Sequence, residues 1–341
     1  MSIPQELLER FNNFGQKEYD TNLGKNGDFF ASNIYLDKNN NYEHRTSAEI
    51  TKFYNEQLFI EACTTAPLDT IRQIYELSVE LKNPININAL NRRGISAFTN
   101  CCLYGRFKVA KWLYDLSVTL DTPIKNITSD EWNKSPFYIC CKSEYGKVSM
   151  VKWLYYLCIE KGALISIHGP YDDDMLFIFT KNPDVSKWLL DMGIKFESPI
   201  NIHSNNEHAF KSRCADGNLE GVKWLYHYAN EIKSPINIHD NSEHCGQKMN
   251  AFSNSCAGGH LHVAKWLYEQ AISINSPINI RINNDAAFRN ACFRAAQDKS
   301  YDKLMDIDAD YLGTVNWLCT LCDKYSFTEQ NGTLIDFQIS A

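Results

Sequence analysis

A 341-residue chain with 34 Lys and Arg against 41 Asp and Glu carries a formal net charge of −7. Its pI near 5.7 excludes the basic footprint with which nucleic-acid-binding proteins displace condensed counterions, and charged residues break every apolar run before it could span a bilayer. The opening Met1-Ser2-Ile3-Pro4-Gln5-Glu6 has neither the basic nor the apolar region of a signal peptide, so an intracellular, cytoplasmic protein is expected, binding neither nucleic acid nor membrane.

Residues 1–50 stand apart. Leu7, Leu8, Phe11 and Phe14 mark one short amphipathic helix, and a polar stretch rich in Gly and Asn runs from Gly24 through Asn41. An N-terminal cap or appendage, partly flexible, is expected here.

From residue 51 to 325 one unit is repeated. Val109-Ala110-Lys111-Trp112-Leu113-Tyr114 returns as Val151-Lys152-Trp153-Leu154-Tyr155, Val185-Ser186-Lys187-Trp188-Leu189-Leu190 and Val222-Lys223-Trp224-Leu225-Tyr226. Val263-Ala264-Lys265-Trp266-Leu267-Tyr268 follows and, more weakly, Val315-Asn316-Trp317-Leu318-Cys319. The tryptophans step by 41, 35, 36, 42 and 51 residues, a spacing that marks stacked repeats, of which one alone cannot bury its apolar face. Six of the seven tryptophans are thereby assigned to holding successive helix pairs together.

Each unit opens with a polar turn and a first helix. Phe59/Cys63, Phe98/Cys102, Phe137/Cys141, Phe210/Cys214, Phe252/Cys256 and Phe288/Cys292 share the spacing Phe-x-x-x-Cys, which puts both side chains on one helix face. Cys is read there as a compact apolar filler, a reduced thiol rather than half of a disulfide. A turn carrying Gly105, Gly146, Gly217 or Gly259 follows, placed where a left-handed residue ends a helix. The second helix holds Val109, Trp112, Leu113 and Leu116 at helical spacing. The unit closes on an extended, strand-like arm such as Pro84-Ile85-Asn86-Ile87 or Pro235-Ile236-Asn237-Ile238.

Seven units are expected, beginning near Glu56, Ser96, Ser135, Asp174, Glu207, Asn250 and Asp285. The fourth is degenerate: Met175-Leu176-Phe177-Ile178-Phe179-Thr180 lacks the Cys and leads into a short Lys181-Asn182-Pro183-Asp184. The seventh carries an insertion from about Asp298 to Asp310, and residues 326–341 read as a short C-terminal tail.

Gly94-Ile95-Ser96-Ala97-Phe98, Asp130-Glu131-Trp132-Asn133-Lys134-Ser135-Pro136-Phe137 and Gly259-His260-Leu261-His262-Val263-Ala264 resemble ankyrin repeats, with their Asp-x-x-Gly-x-Thr-Pro-Leu-His opening and Gly-His-x-x-Val-Val second helix. The resemblance covers residues 51–325 and is nearest to the ankyrin-repeat proteins of giant amoeba-infecting DNA viruses. Units here are longer than that family's, and most lack the Thr-Pro-Leu-His tetrapeptide. It implies an all-α, ankyrin-type α-solenoid of about seven helix-turn-helix repeats with finger loops. It further implies a non-catalytic scaffold, monomeric, that binds a protein partner through those fingers and the concave face of the inner helices.

The residues add candidates of their own. Finger length varies while the helices do not, from 11 residues between Pro199 and Phe210 to 17 between Pro235 and Phe252, and length change on one edge of a stack can shape a binding edge. Trp132, flanked by Glu131 and Lys134, lies in a finger and is read either as a partner-binding anchor or as a residue folded over the neighbouring finger. The position after each arm varies as Asn88, Thr128, His168, His203, His239 and Arg281. Its three histidines and Arg281 are read as partner contacts or turn hydrogen bonds, because repeats about 10 Å apart cannot bring them to one zinc. Cys319-Thr320-Leu321-Cys322 is a lone pair inside a helix and is read as packing. No nucleotide loop, catalytic triad motif or metal motif appears, so no catalytic residue, metal or cofactor is expected. A second reading rests on Ile3-Pro4-Gln5-Glu6-Leu7-Leu8, which is similar to the opening of an F-box and would make the chain a substrate adaptor for a ubiquitin ligase.

Overall fold

The apolar stripes become fourteen helices among the described residues of this computed structural model, which are 34–36, 42–44, 47–170, 173–244, 247–248, 250–297, 309–330 and 333–340. The helices follow one another as seven pairs. These are α1 (Ser47–Thr65) with α2 (Leu68–Glu80), α3 (Ala97–Leu103) with α4 (Phe107–Thr119), α5 (Pro136–Lys142) with α6 (Val148–Glu160), and α7 (Met175–Phe179) with α8 (Pro183–Lys195). Then come α9 (Ser204–Ala215) with α10 (Leu219–Glu231), α11 (Ala251–Ala257) with α12 (Leu261–Ser273), and α13 (Ile282–Gln297) with α14 (Tyr311–Leu321). Three antiparallel ribbons join them: β1 (Ile34–Leu36) with β2 (Tyr42–His44), β3 (Glu243–His244) with β4 (Gln247–Lys248), and β5 (Tyr325–Gln330) with β6 (Thr333–Ile339). No helix among the described residues is long and apolar enough to cross a membrane.

The second helices of the first six pairs are all thirteen residues long, and one terminator explains why. Lys82, Asp121, Gly162, Glu197, Lys233 and Asn275 each take a left-handed φ. The next amide then donates five residues back, as in Asn83 N to Ser78 O or Ser234 N to Ala229 O, the Schellman closure. Proline follows in most units and forbids continuation. Only one of the six, Gly162, is a glycine. The arm beyond is no strand: Asn201 Oδ1 accepts from His203 N, Asn237 Oδ1 from His239 N and Asn279 Oδ1 from Arg281 N, side-chain turns that explain the recurring Ile-Asn-Ile. The isoleucines either side of the Asn are buried, apart from the half-buried Ile280.

The chain divides into two compact units, residues 1–101 with 106–125, and residues 102–105 with 126–341. In the first, Phe59, Tyr75 and Trp112 form an aromatic triangle with centroids 6.2–6.5 Å apart. Asn100 Nδ2 donates to Thr64 Oγ1 at 3.1 Å, and Arg106 caps the carbonyl of Ala66. α1 begins at Ser47, nine residues ahead of the expected start at Glu56. The amphipathic helix and the F-box-like opening lie outside the described residues.

In the second unit the first helices pack in succession, α5 on α7, α7 on α9, α9 on α11 and α11 on α13. The second helices do the same from α6 to α14. The Phe and Cys of each Phe-x-x-x-Cys pair are almost wholly buried, and burying one such phenylalanine stabilises by about 2–3 kcal/mol. Burial pushes the Cys140 and Cys292 thiols up to about 12, so they stay protonated and unreactive. The tryptophans depart from expectation: Trp188 is buried, but Trp112, Trp153, Trp224, Trp266 and Trp317 are half-buried. They act at the groove between successive second helices, not in the centre of the core.

The degenerate fourth repeat is repaired from its neighbour. α7 has only five residues, which leaves carbonyls at its end without a continuing helix. Arg213 of α9, 2% exposed, reaches Thr180 O at 2.8 Å, Phe177 O at 3.2 Å and Ser186 Oγ at 3.1 Å, with its guanidinium 5.2 Å from the Phe177 ring centroid. The equivalent residue before the Cys is Cys101, Cys140, Ser255 or Ala291 in the other units. An arginine where every relative is small was the signal that sequence reading passed over.

The expected tail is a folded element. β5 and β6 pair from Tyr325↔Ile339 to Gln330↔Thr333, and β6 packs on α13. The Tyr325 ring stacks on Phe288 at 4.1 Å, its hydroxyl donates to Asp285 Oδ1 at 2.7 Å, and Phe337 meets Phe288 edge-on. Alternating apolar residues in Tyr325-Ser326-Phe327 and Leu334-Ile335-Asp336-Phe337 give it a face that covers the last first helix.

Candidate protein interface

Three finger geometries account for the variation in finger length. In the two shortest, three consecutive residues take left-handed φ before the regular helix begins: Asn205, Asn206 and Glu207, and Asn283, Asn284 and Asp285. Asn tolerates that region better than other residues with a Cβ. The finger after Asn88 turns through Asn91-Arg92-Arg93-Gly94, with Gly94 at φ 74 and a bridge from Leu90 to Ser96. The longest finger carries the β3–β4 ribbon.

The position after each arm holds the units together. His168 Nδ1 lies 2.6 Å from Asp174 Oδ1, and its Nε2 lies 2.9 Å from Ser198 Oγ of the next unit. His203 repeats the pattern with Glu207 at 3.0 Å and Ser234 at 2.8 Å. His239 Nε2 meets Ser276 Oγ at 3.0 Å, Arg281 Nε donates to Asp285 Oδ1 at 2.8 Å, and in the first unit Asn88 Nδ2 donates to Pro123 O. Asp174, Glu207 and Asp285 are buried and left-handed. The first two accept the amides of Asn201 and Asn237 from the following arm at 3.0 and 3.1 Å. For the last, the Tyr325 hydroxyl takes that place.

His168, His203 and His239 are therefore tied to a serine of the following repeat, whereas Arg281 pairs with Asp285 four residues on. Ser-His-acid order invites a nucleophile reading, but each acid also holds the next arm's backbone or hydroxyl. The same set recurs in two successive units, as a structural tie does. Among the described residues no cluster of His, Cys, Asp and Glu is arranged to hold a metal ion. His260 and His262 behave alike, bonding to Ala215 O and Gly217 O in the preceding inter-helix turn at 2.9 Å.

Trp132 is half-buried and folded back. Its ring lies 5.5 Å from Tyr138 and 6.0 Å from Phe179, with Lys142 Nζ 4.1 Å from its centroid and bonded to its carbonyl. Burial lowers the Lys142 ammonium to about 8. Of the expected contact residues, Glu131 and Lys134 stand exposed, paired with each other at 2.7 Å.

A feature absent from the sequence reading lies at the end of the second helices. Ile159, Ile194 with Phe196, Ile232, and Ile272 with Ile274 are exposed in successive repeats of the second unit, and Val79 with Leu81 and Val118 with Leu120 hold the same places in the first. An apolar residue six or eight positions after each tryptophan was the available sign. In comparisons with known proteins, no family model and no curated sequence matches this chain.

Proposed function

We propose that the chain is an ankyrin-type α-solenoid acting as a non-catalytic scaffold for a protein partner. One observation carries this: each of the first six repeats leaves apolar side chains exposed at the end of its second helix, while His168, His203 and His239 are engaged in ties to the next repeat. Recurrent exposed apolar groups on one edge of stacked elements mark a protein-binding surface, whereas scattered single ones do not. Affinity capture with the full chain, compared with an Ile194→Glu/Phe196→Glu variant, tests the reading. A specific protein held by the wild type and lost from the variant is expected; no specific protein, or equal retention by both, overturns it.

A further inference from the structure

The tryptophans form a ladder. In the first unit Tyr75 meets Trp112 edge-on at 6.2 Å and 77°. In the second, Tyr155 meets Trp188 at 5.6 Å and 73°, Tyr226 meets Trp266 at 5.4 Å and 87°, and Tyr268 meets Trp317 at 5.8 Å and 87°. Each rung joins the tyrosine at the end of one Lys-Trp-Leu-Tyr run, or of the equivalent Arg72-Gln73-Ile74-Tyr75, to the tryptophan of the next repeat. T-shaped pairing suits the two ring quadrupoles.

One rung is missing. The fourth repeat ends its run in Leu190 where the first three, the fifth and the sixth carry tyrosine, so among the described residues no tyrosine of the preceding repeat meets Trp224 edge-on. Trp224 instead stacks on Tyr228 of its own helix at 5.6 Å and 15°. A groove of about 360 Å³ opens at this place, lined by Lys187, Leu190, Asp191, Trp224, His227, Tyr228 and Glu231. That volume lies at the small end of ligand-sized clefts and admits a phenol ring. Two carboxylates against one ammonium make the groove acidic, and burial followed by the charges of Asp191 and Glu231 pushes the Tyr228 phenol up.

We propose that this groove is a docking site for a tyrosine side chain of a partner protein, presented next to a lysine or arginine. The ladder itself states what the slot accepts, since four equivalent places hold a tyrosine edge-on to tryptophan. The cation is assigned by charge complementarity to Asp191 and Glu231. The groove lies on the second helices and involves neither the fingers nor the exposed aliphatic residues, so it stands or falls independently of the scaffold surface named above.

Tyramine, a phenol with an ammonium group, is the minimal probe. Titrated into the full chain with ¹⁵N-labelled indoles, it should shift the Trp224 signal (assigned with Trp224→Phe) saturably and leave the other tryptophans in place. Leu190→Tyr should supply the rung, abolish the shift and leave the melting temperature equal or higher. Asp191→Asn with Glu231→Gln, both at exposed positions, should weaken tyramine several-fold while leaving p-cresol unchanged. No saturable shift at Trp224, an undiminished shift in Leu190→Tyr, or a marked fall in that variant's melting temperature overturns the assignment. Equal tyramine affinity in the double variant removes the cation from it. Ile194→Glu/Phe196→Glu should leave the titration as it is.

Discussion

Arg213→Ala tests whether one side chain repairs the truncated fourth repeat. Substitution removes the guanidinium donor from Thr180 O and Ser186 Oγ, both buried, and each orphaned buried acceptor costs about 1–3 kcal/mol. A cavity the size of the lost side chain adds to this. Relief of the arginine's own desolvation, which lowers its ionisation to about 10, offsets part of the loss. The balance is a destabilisation of about 3 kcal/mol, well beyond the typical effect of a single substitution. Arg213→Met separates the contributions, because it keeps most of the volume and the contact with Phe177 but restores no donor; it should lie between wild type and Ala. Urea unfolding followed by circular dichroism gives the global value. Hydrogen exchange at residues 175–190 shows whether the fourth repeat opens first. A loss below about 1 kcal/mol, or a Met variant as stable as wild type, would refute the idea that the carbonyls at the end of α7 depend on this donor.

Lys233→Gly should raise stability by about 0.5–1 kcal/mol, because Lys233 sits at φ 58, a conformation that glycine adopts without a Cβ penalty; thermal unfolding decides it. Tyr226→Leu should copy the natural gap at Leu190 and cost about 1 kcal/mol of edge-on pairing with Trp266 beyond any lost area, seen as a matching red shift in Trp266 emission. The hydrogen bond from Arg281, ahead of the opposing effect of burial, holds the Asp285 carboxyl below the ordinary carboxylate range. The stability this bond contributes is therefore complete above that range and is lost as pH falls through the depressed value. Melting temperature measured from pH 6 downward should fall less steeply in Asp285→Asn than in wild type; parallel curves would remove Asp285 from the acid limb.

The helix pairs were legible because Phe-x-x-x-Cys and the Lys-Trp-Leu-Tyr run each declare a face, and side-chain spacing on a helix is local information. Arm residues such as His168 were legible only as a position. Their partners Ser198 and Asp174 lie 30 and 6 residues away, and nothing in the intervening chain announces that the next unit brings a serine hydroxyl to the imidazole. Trp132 was ambiguous for the same reason: its burial depends on Phe179, a residue of the following repeat. The C-terminal ribbon was missed because residues 326–341 were read as a short tail, with no surface in view for their apolar residues to cover. Its alternation has meaning only once Phe288 is there to be covered. The groove at Leu190 was visible as a single-letter departure, but an absence acquires significance only after the rungs on either side have been measured.

The substitution of a tyrosine hydroxyl for a backbone amide at Asp285 has a consequence for how such a chain can grow. Asp174 and Glu207 each take one donor from the arm that follows, and at Asp285 the ribbon supplies a donor together with a ring laid over Phe288. Copies could thus be gained or lost upstream by duplication or deletion while the same closing piece continued to fit.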